Sequence, residues 1–118
     1  MGMRVIIAGP RDYYNRETVA AAIKSAPFTI TEVVSGGARG VDKMGEVYAD
    51  ACKIPLKQFI ADWVQFGKPA GPIRNAEMAD YADALIAVWD AKSTGTRNMI
   101  ENMNRRGKPV HLFLTPDR

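Results

Sequence analysis

The sequence predicts an α/β fold, a single three-layer sandwich of helices around a mainly parallel five-stranded sheet. Three observations carry this. Short apolar runs alternate with helical stripes along the whole chain. The first run, Arg4–Gly9 (RVIIAG), is apolar on both faces, as a strand covered by helices on both sides requires. The connections that leave the strands combine glycine with arginine, whereas those that return to them do not.

Taken in order, strands are expected at Arg4–Gly9, Ile30–Ser35, Leu56–Ile60, Ala84–Trp89 and Val110–Leu114. Val19, Ala22, Ile23 and Ala26 form the stripe of a first helix, and Val41, Met44, Tyr48 and Cys52 that of a second. Further helices fit Arg74–Tyr81 and Thr96–Arg106, the latter closed by Gly107 with Pro109 beyond it. The segment Ala61–Gly71 is left as one irregular connection. Cys52, Trp89, Met99 and Met103 are expected in the core, and His111 in the last strand, away from the glycine loops.

Composition bounds the function. The 118 residues make one domain, 1–118, with 47% hydrophobic and 25% charged residues, and no apolar run reaches the length of a membrane span. One cysteine and one histidine exclude a disulfide framework, a cysteine-based zinc cluster and a His-rich metal site. The N-terminus enters a strand-like run with no signal peptide, and a cytoplasmic location is expected. Sixteen basic against thirteen acidic residues give a net charge of +3, too mild to declare a nucleic-acid binder. The stretch Lys92–Arg118 is more basic, with Lys92, Arg97, Arg105, Arg106, Lys108 and Arg118 against Glu101 and Asp117, which first of all solubilises a helix.

Parallel sheets bind ligands outside the C-terminal ends of their strands. The connections there are Gly9-Pro10-Arg11-Asp12, Ser35-Gly36-Gly37-Ala38-Arg39-Gly40, Gly71-Pro72-Ile73-Arg74-Asn75 and Lys92-Ser93-Thr94-Gly95-Thr96-Arg97. Glycine admits close backbone approach, a helix start offers free N–H groups, and arginine is a bidentate donor. The shared target is an anion, most simply phosphate. The glycine run Gly36–Gly40 is neither a Walker loop nor a dinucleotide fingerprint, since no Gly-Lys-Ser/Thr follows and the glycine spacing differs. Its plain structural alternative is a tight βα turn, and that of Ser93-Thr94-Gly95-Thr96 is a helix N-cap. Arg74 near a helix start opposes the dipole, an arrangement an anion relieves. Asp42 and Glu46 share one helix face four residues apart, as ribose contacts or as an acid or base on a sugar bond. Tyr13, Trp63 and Phe66 fall in loops at or near this edge, as a base platform or as packing caps.

IIAGPRDY, VVSGGARGVDKMGEVYA, ADWVQFGKPAGPIRNAEMA, ADALIAVWD and STGTRNMI together resemble the small domains of the SLOG superfamily related to the YspA/YpsA group. The resemblance covers nearly the whole chain. It implies a Rossmann-like nucleotide-binding fold whose ligands are nucleotides or nucleotide-derived signals, with the LOG phosphoribohydrolases and the DNA-binding DprA protein as distant relatives. The phosphate-receiving glycine loop of LOG proteins is similar to Gly36, Gly37 and Gly40, their Gly-Thr helix start to Gly95 and Thr96, and their Arg-x-x-x-Met pattern to Arg74 and Met78. Where LOG enzymes place glutamate in Gly-Thr-x-x-Glu, this chain has Met99, so the carboxylate that assists N-glycosidic cleavage is missing there.

The leading expectation is therefore a nucleotide-binding module, sensor or sequestering protein, with Gly9, Arg11, Ser35, Gly36, Gly37, Ala38, Arg39, Gly40, Asp42, Gly71, Arg74, Asn75, Ser93, Thr94, Gly95 and Thr96 around the ligand and Ala61–Gly71 closing over the base. The alternative is a nucleotide N-glycosidic hydrolase with Glu46 and Arg74 as its catalytic pair. Single-stranded DNA binding ranks third. No metal site and no obligatory cofactor are expected, and Mg²⁺ would come with the phosphates. Apart from the nucleotide-derived ligand, the expected partner is a second copy of the chain, not a membrane.

Overall fold

A computed structural model describes residues 2–116, so Asp117 and Arg118 of the basic stretch lie outside the described residues. In chain order the elements are β1 (Met3–Ala8), α1 (Arg16–Ser25), β2 (Ile30–Ser35), α2 (Val41–Ala51), β3 (Leu56–Gln58), α3 (Trp63–Phe66), α4 (Ala70–Tyr81), β4 (Ala84–Trp89), α5 (Thr94–Arg105) and β5 (Val110–Leu114). The five strands form one sheet in the order β3-β2-β1-β4-β5, and every pairing is parallel. The chain winds outward through β2 and β3 on one side of β1 and returns to build β4 and β5 on the other. Connections leaving β1 and β4 therefore diverge, which opens a crevice at the C-terminal edge.

Alternation of side chains across the strands makes two cores. Val5, Ile7, Val33, Ile86 and Val88 face α1 and α2, where Val19, Ile23, Val41 and Ala49 cover them. Ile6, Ala8, Val34, Leu85 and Ala87 face α4 and α5, where Met78, Ala79, Met99 and Met103 cover them. Central strands β1 and β4 are thus apolar on both faces, which is why their sequences show no alternation. Among the described residues no helix is long and apolar enough to cross a membrane.

Five expectations need correction. β3 ends at Gln58 rather than Ile60, because this edge strand is exposed along its length and pairs on one side only. The connection that follows is not irregular throughout: Asp62 caps the single turn of α3, and Gly67 at φ +64 ends it. α4 starts at Ala70, four residues ahead of Arg74, since Pro72 falls in the first turn, where a missing N–H leaves no hydrogen bond unmade. Cys52 is exposed: α2 stops at Ala51, and the backbone swings through Lys53 at φ +56 before the stripe can carry the thiol inward. Trp89 is half-buried rather than core, with its indole N–H donating to the Ser93 carbonyl at 3.1 Å.

The C-terminal end of α4 is closed from outside. Lys108 Nζ donates to the carbonyls of Ala79, Asp80 and Ala82 at 2.7, 3.0 and 2.8 Å. A cation there meets both the orphan carbonyls and the negative end of the dipole. Lys108→Met is expected to lower stability by about 1–2 kcal/mol in a urea melt. An unchanged midpoint would show that water serves these carbonyls equally well.

Candidate functional site

Three of the glycine-bearing connections meet at the C-terminal edge, and the closeness of backbone to backbone explains their glycines. Gly40 sits at φ +70, and a Cβ on it would lie 2.4 Å from the Pro10 carbonyl oxygen and 2.6 Å from the Arg11 carbonyl carbon. Val41 N–H donates to the same Pro10 oxygen at 3.2 Å. The β1 and β2 connections are thereby locked together. Gly9 is packed just as closely on β4, where a Cβ would come within 2.4 Å of the Val88 carbonyl oxygen. Gly37, at φ +74, is held more loosely: its added Cβ would meet only the Cδ1 end of Ile60, at 2.5 Å.

Inside the loop the polar groups satisfy one another. Ser35 Oγ accepts from Gly37 N–H at 3.1 Å, and Asp42 Oδ2 accepts from Ala38 N–H at 3.3 Å. Ser35 Oγ in turn donates to Glu46 Oε2 at 2.8 Å, which also accepts from Gln58 Nε2 at 2.8 Å, while Lys43 Nζ stands 3.6 Å from Oε1. Glu46 is therefore fully engaged in tying β2, α2 and β3. Gln58 was absent from the sequence-based site; its signal is its register opposite Ser35, which only pairing of β2 with β3 reveals.

Arg74 bridges the two halves of the sheet. Its Nη1 donates to the Gly36 carbonyl at 2.6 Å and its Nε to Asn75 Oδ1 at 3.0 Å. Asn75 Nδ2 continues the chain to the Gly95 carbonyl at 3.3 Å and to Asn98 Oδ1 at 3.0 Å. Asn98 is a second residue the sequence did not single out. Beside Arg74 lies the buried carboxyl of Asp42. Burial pushes it up from 3.8 to about 6, against the pull of the Arg74 guanidinium and of the backbone amides of Ala38 and Gly9; neighbouring Glu46 adds to the rise. Burial likewise lowers Arg74 from its ordinary value, and Asp42 offsets only part of that. Both groups are held where their charged forms are disfavoured, a pattern enriched at functional sites.

At the start of α5, Ser93 Oγ accepts from Thr96 N–H, and Asp90 Oδ1 accepts from the amides of Lys92 and Ser93 at 2.9 and 2.8 Å. Burial raises the Asp90 carboxyl, but the amide bonds prevail and leave it below its usual range. Ala91 in this turn adopts φ +64, unusual for a residue other than glycine. Thr94 and Gly95 are exposed, and space is open where a Gly95 side chain would be. Arg11 and Arg39 are exposed and make no hydrogen bond or ion pair among the described residues, while Arg97 lies over the Trp89 ring at 5.6 Å. Gly71 is buried in α4 under the edge of the exposed Trp63 indole. Tyr13 packs on the α1/α2 core. Two concavities, at the Asp12–Glu17 turn and between α1 and α2, lie apart from the point where Arg74, Asp42 and Asn75 converge. Among the described residues no group of three or more His, Cys, Asp or Glu could hold a metal ion.

Residues 3–66, more than half of the chain and including β1, the glycine loop and α2, match the YspA, cpYpsA-related SLOG family. The chain belongs to that family. The Gene 61 protein of Mycobacterium phage D29 is 34% identical over 120 residues, covering 93% of this chain and 95% of the relative. The family match stops at the end of α3, so Arg74, Asn75 and the α5 start lie beyond it, and the likeness to the phage relative extends well past that point. Met99, at the position where LOG enzymes carry glutamate, is buried between α5 and the sheet with Met103.

Proposed function

We propose that this SLOG domain binds a nucleotide or nucleotide-derived ligand at the C-terminal edge of the sheet, as a sensor or sequestering module. The observation that carries this reading is the Arg74–Asp42 pair, partly or wholly buried at electrostatic cost and joined through Asn75 to the start of α5. Because Gly37 and Ala38 already give their amides to Ser35 and Asp42, the phosphates are assigned to the exposed first turn of α5 at Thr94 and Gly95, with Arg11 and Arg39 as exposed countercharges. The test is mass spectrometry of the protein and its supernatant after incubation with nucleoside mono-, di- and triphosphates, dinucleotides and cyclic nucleotides. A retained, unaltered ligand is expected; no retained compound would overturn the reading.

One observation favours a second reading, hydrolysis of the N-glycosidic bond. A carboxyl near 6 can exchange a proton at neutral pH, and Asp42 is that carboxyl, whereas Glu46 is occupied by Ser35 and Gln58. Free base and sugar phosphate in the supernatant would select it, with turnover lost in Asp42→Asn.

Gly37→Val separates binding from folding. Its left-handed φ and the soft contact with Ile60 put the loss of stability at about 1–2 kcal/mol by urea melt. The distorted loop is expected to abolish ligand retention at temperatures where the sheet stays folded. Retained affinity would remove Gly36–Gly40 from the site.

A further inference from the structure

β5 is an edge strand, paired only with β4. Thr115 N–H donates to the Trp89 carbonyl at 2.9 Å, and Leu85 N–H to the Pro109 carbonyl at 3.0 Å. In a parallel ladder alternate residues address the same neighbour, so 109, 111, 113 and 115 face β4 while the backbone groups of Val110, Leu112 and Leu114 turn outward. None of these outward groups is hydrogen-bonded among the described residues. The side chains of the same three residues share the face that carries α5; Val110 packs against its core, and Leu112 and Leu114 are 46% and 40% exposed.

Natural sheets guard such edges with charge, proline, bulges or short strands. β3, the opposite edge, follows that rule with three residues and a central lysine, Lys57. β5 does not. It reads Val-His-Leu-Phe-Leu, pairs in regular register and holds no formal charge, and the flanking Lys108 is turned back onto the end of α4.

We propose that β5 pairs antiparallel with β5 of a second copy of this chain, about a two-fold axis at Leu112. In that register Leu112 faces Leu112 of the second copy and Val110 faces Leu114, so the outward groups meet as hydrogen-bonded pairs and close about six backbone bonds. The side chains also agree: apolar Val110, Leu112 and Leu114 meet one another on one face, and His111 meets Phe113 on the other. The charge pattern selects this occupant. A charged strand from another protein would find no counter-charge on β5, whereas a second copy brings none to the axis. Pairing of β5 with β3 of another copy would leave free edges and grow without limit; the two-fold pairing closes. Because the two halves of the joined sheet run in opposite directions, each copy keeps its own glycine edge open to ligand.

Sedimentation equilibrium of the full chain tests this. The wild type is expected at twice the 13.0 kDa chain mass. Leu112→Lys and Leu112→Asp, each at an exposed position, are expected to halve that mass with unchanged circular dichroism, and Leu56→Lys on the other edge to leave it doubled. Mixing the Lys and Asp variants is expected to restore the doubled mass, since residue 112 faces its own counterpart. A wild type at single mass, an open-ended series, a doubled mass surviving in Leu112→Lys, or a mixture that stays at single mass would each overturn the proposal.

Discussion

Gly40→Ala is expected to destabilise the fold by about 3 kcal/mol or more, several times the cost of an ordinary surface change. Two terms add. An alanine at φ +70 costs about 1–2 kcal/mol in backbone strain. Its Cβ would also stand 2.4 Å from the Pro10 oxygen and 2.7 Å from that of Arg11, and these are backbone atoms held by the Val41 N–H and by the turn out of β1, so they cannot step aside like a side chain. Gly37→Ala shares the strain term alone, because Ile60 can rotate away. The pair of variants, compared by urea denaturation, therefore reads the rigidity of the contact between the β1 and β2 connections. Equal losses at 37 and 40 would refute the proposed difference.

Stability is expected to respond to pH through Asp42. Its carboxyl keeps its proton in the folded chain up to about pH 6, whereas the unfolded chain releases it near the ordinary 3.8. Between those values the folded state binds more protons, so this residue's contribution is intact below about pH 4 and is lost as pH rises through 6. The shift corresponds to about 3 kcal/mol. In Asp42→Asn the acceptor for Ala38 N–H remains but the titration is gone. Denaturant melts at pH 4 and pH 7.5 are expected to show the wild type losing up to about 3 kcal/mol more than the variant between the two. Parallel changes would mean that Asp42 is not the group that titrates. If the site is a ligand site, the stabler variant is also the one that binds less, since a group held at a cost to folding is retained for what it contacts.

The glycine loop illustrates where sequence reasoning stopped. Three glycines around Ala38 and Arg39 predicted free amides for phosphate, and two of those amides are given to Ser35 and Asp42 instead. Spacing could place Asp42 on the right helix face, but not tell that its carboxylate folds back over the loop. Glu46 is a similar case. Proximity in sequence suggested an available acid, and the register of β2 with β3 then brought Gln58 to occupy it. Arg74 is a different case: local pattern predicted an anion contact near a helix start, but its role as the link between Gly36 and Asn75 emerged only because α4 begins four residues earlier and carries it over the β2 connection.

By itself the sequence determined the number, order and type of the strands, the parallel sheet, the edge at which glycine and arginine collect, and the core roles of Met99 and Met103. These depend on the local period of apolar residues and on the backbone freedom of glycine, both written into neighbouring positions. Only the tertiary structure decided the exposure of Cys52, the engagement of Glu46, the raised carboxyl of Asp42 and the bare edge of β5. Each of these depends on which distant groups come within a few ångströms and how much water is removed, and a linear pattern carries neither distance nor solvation.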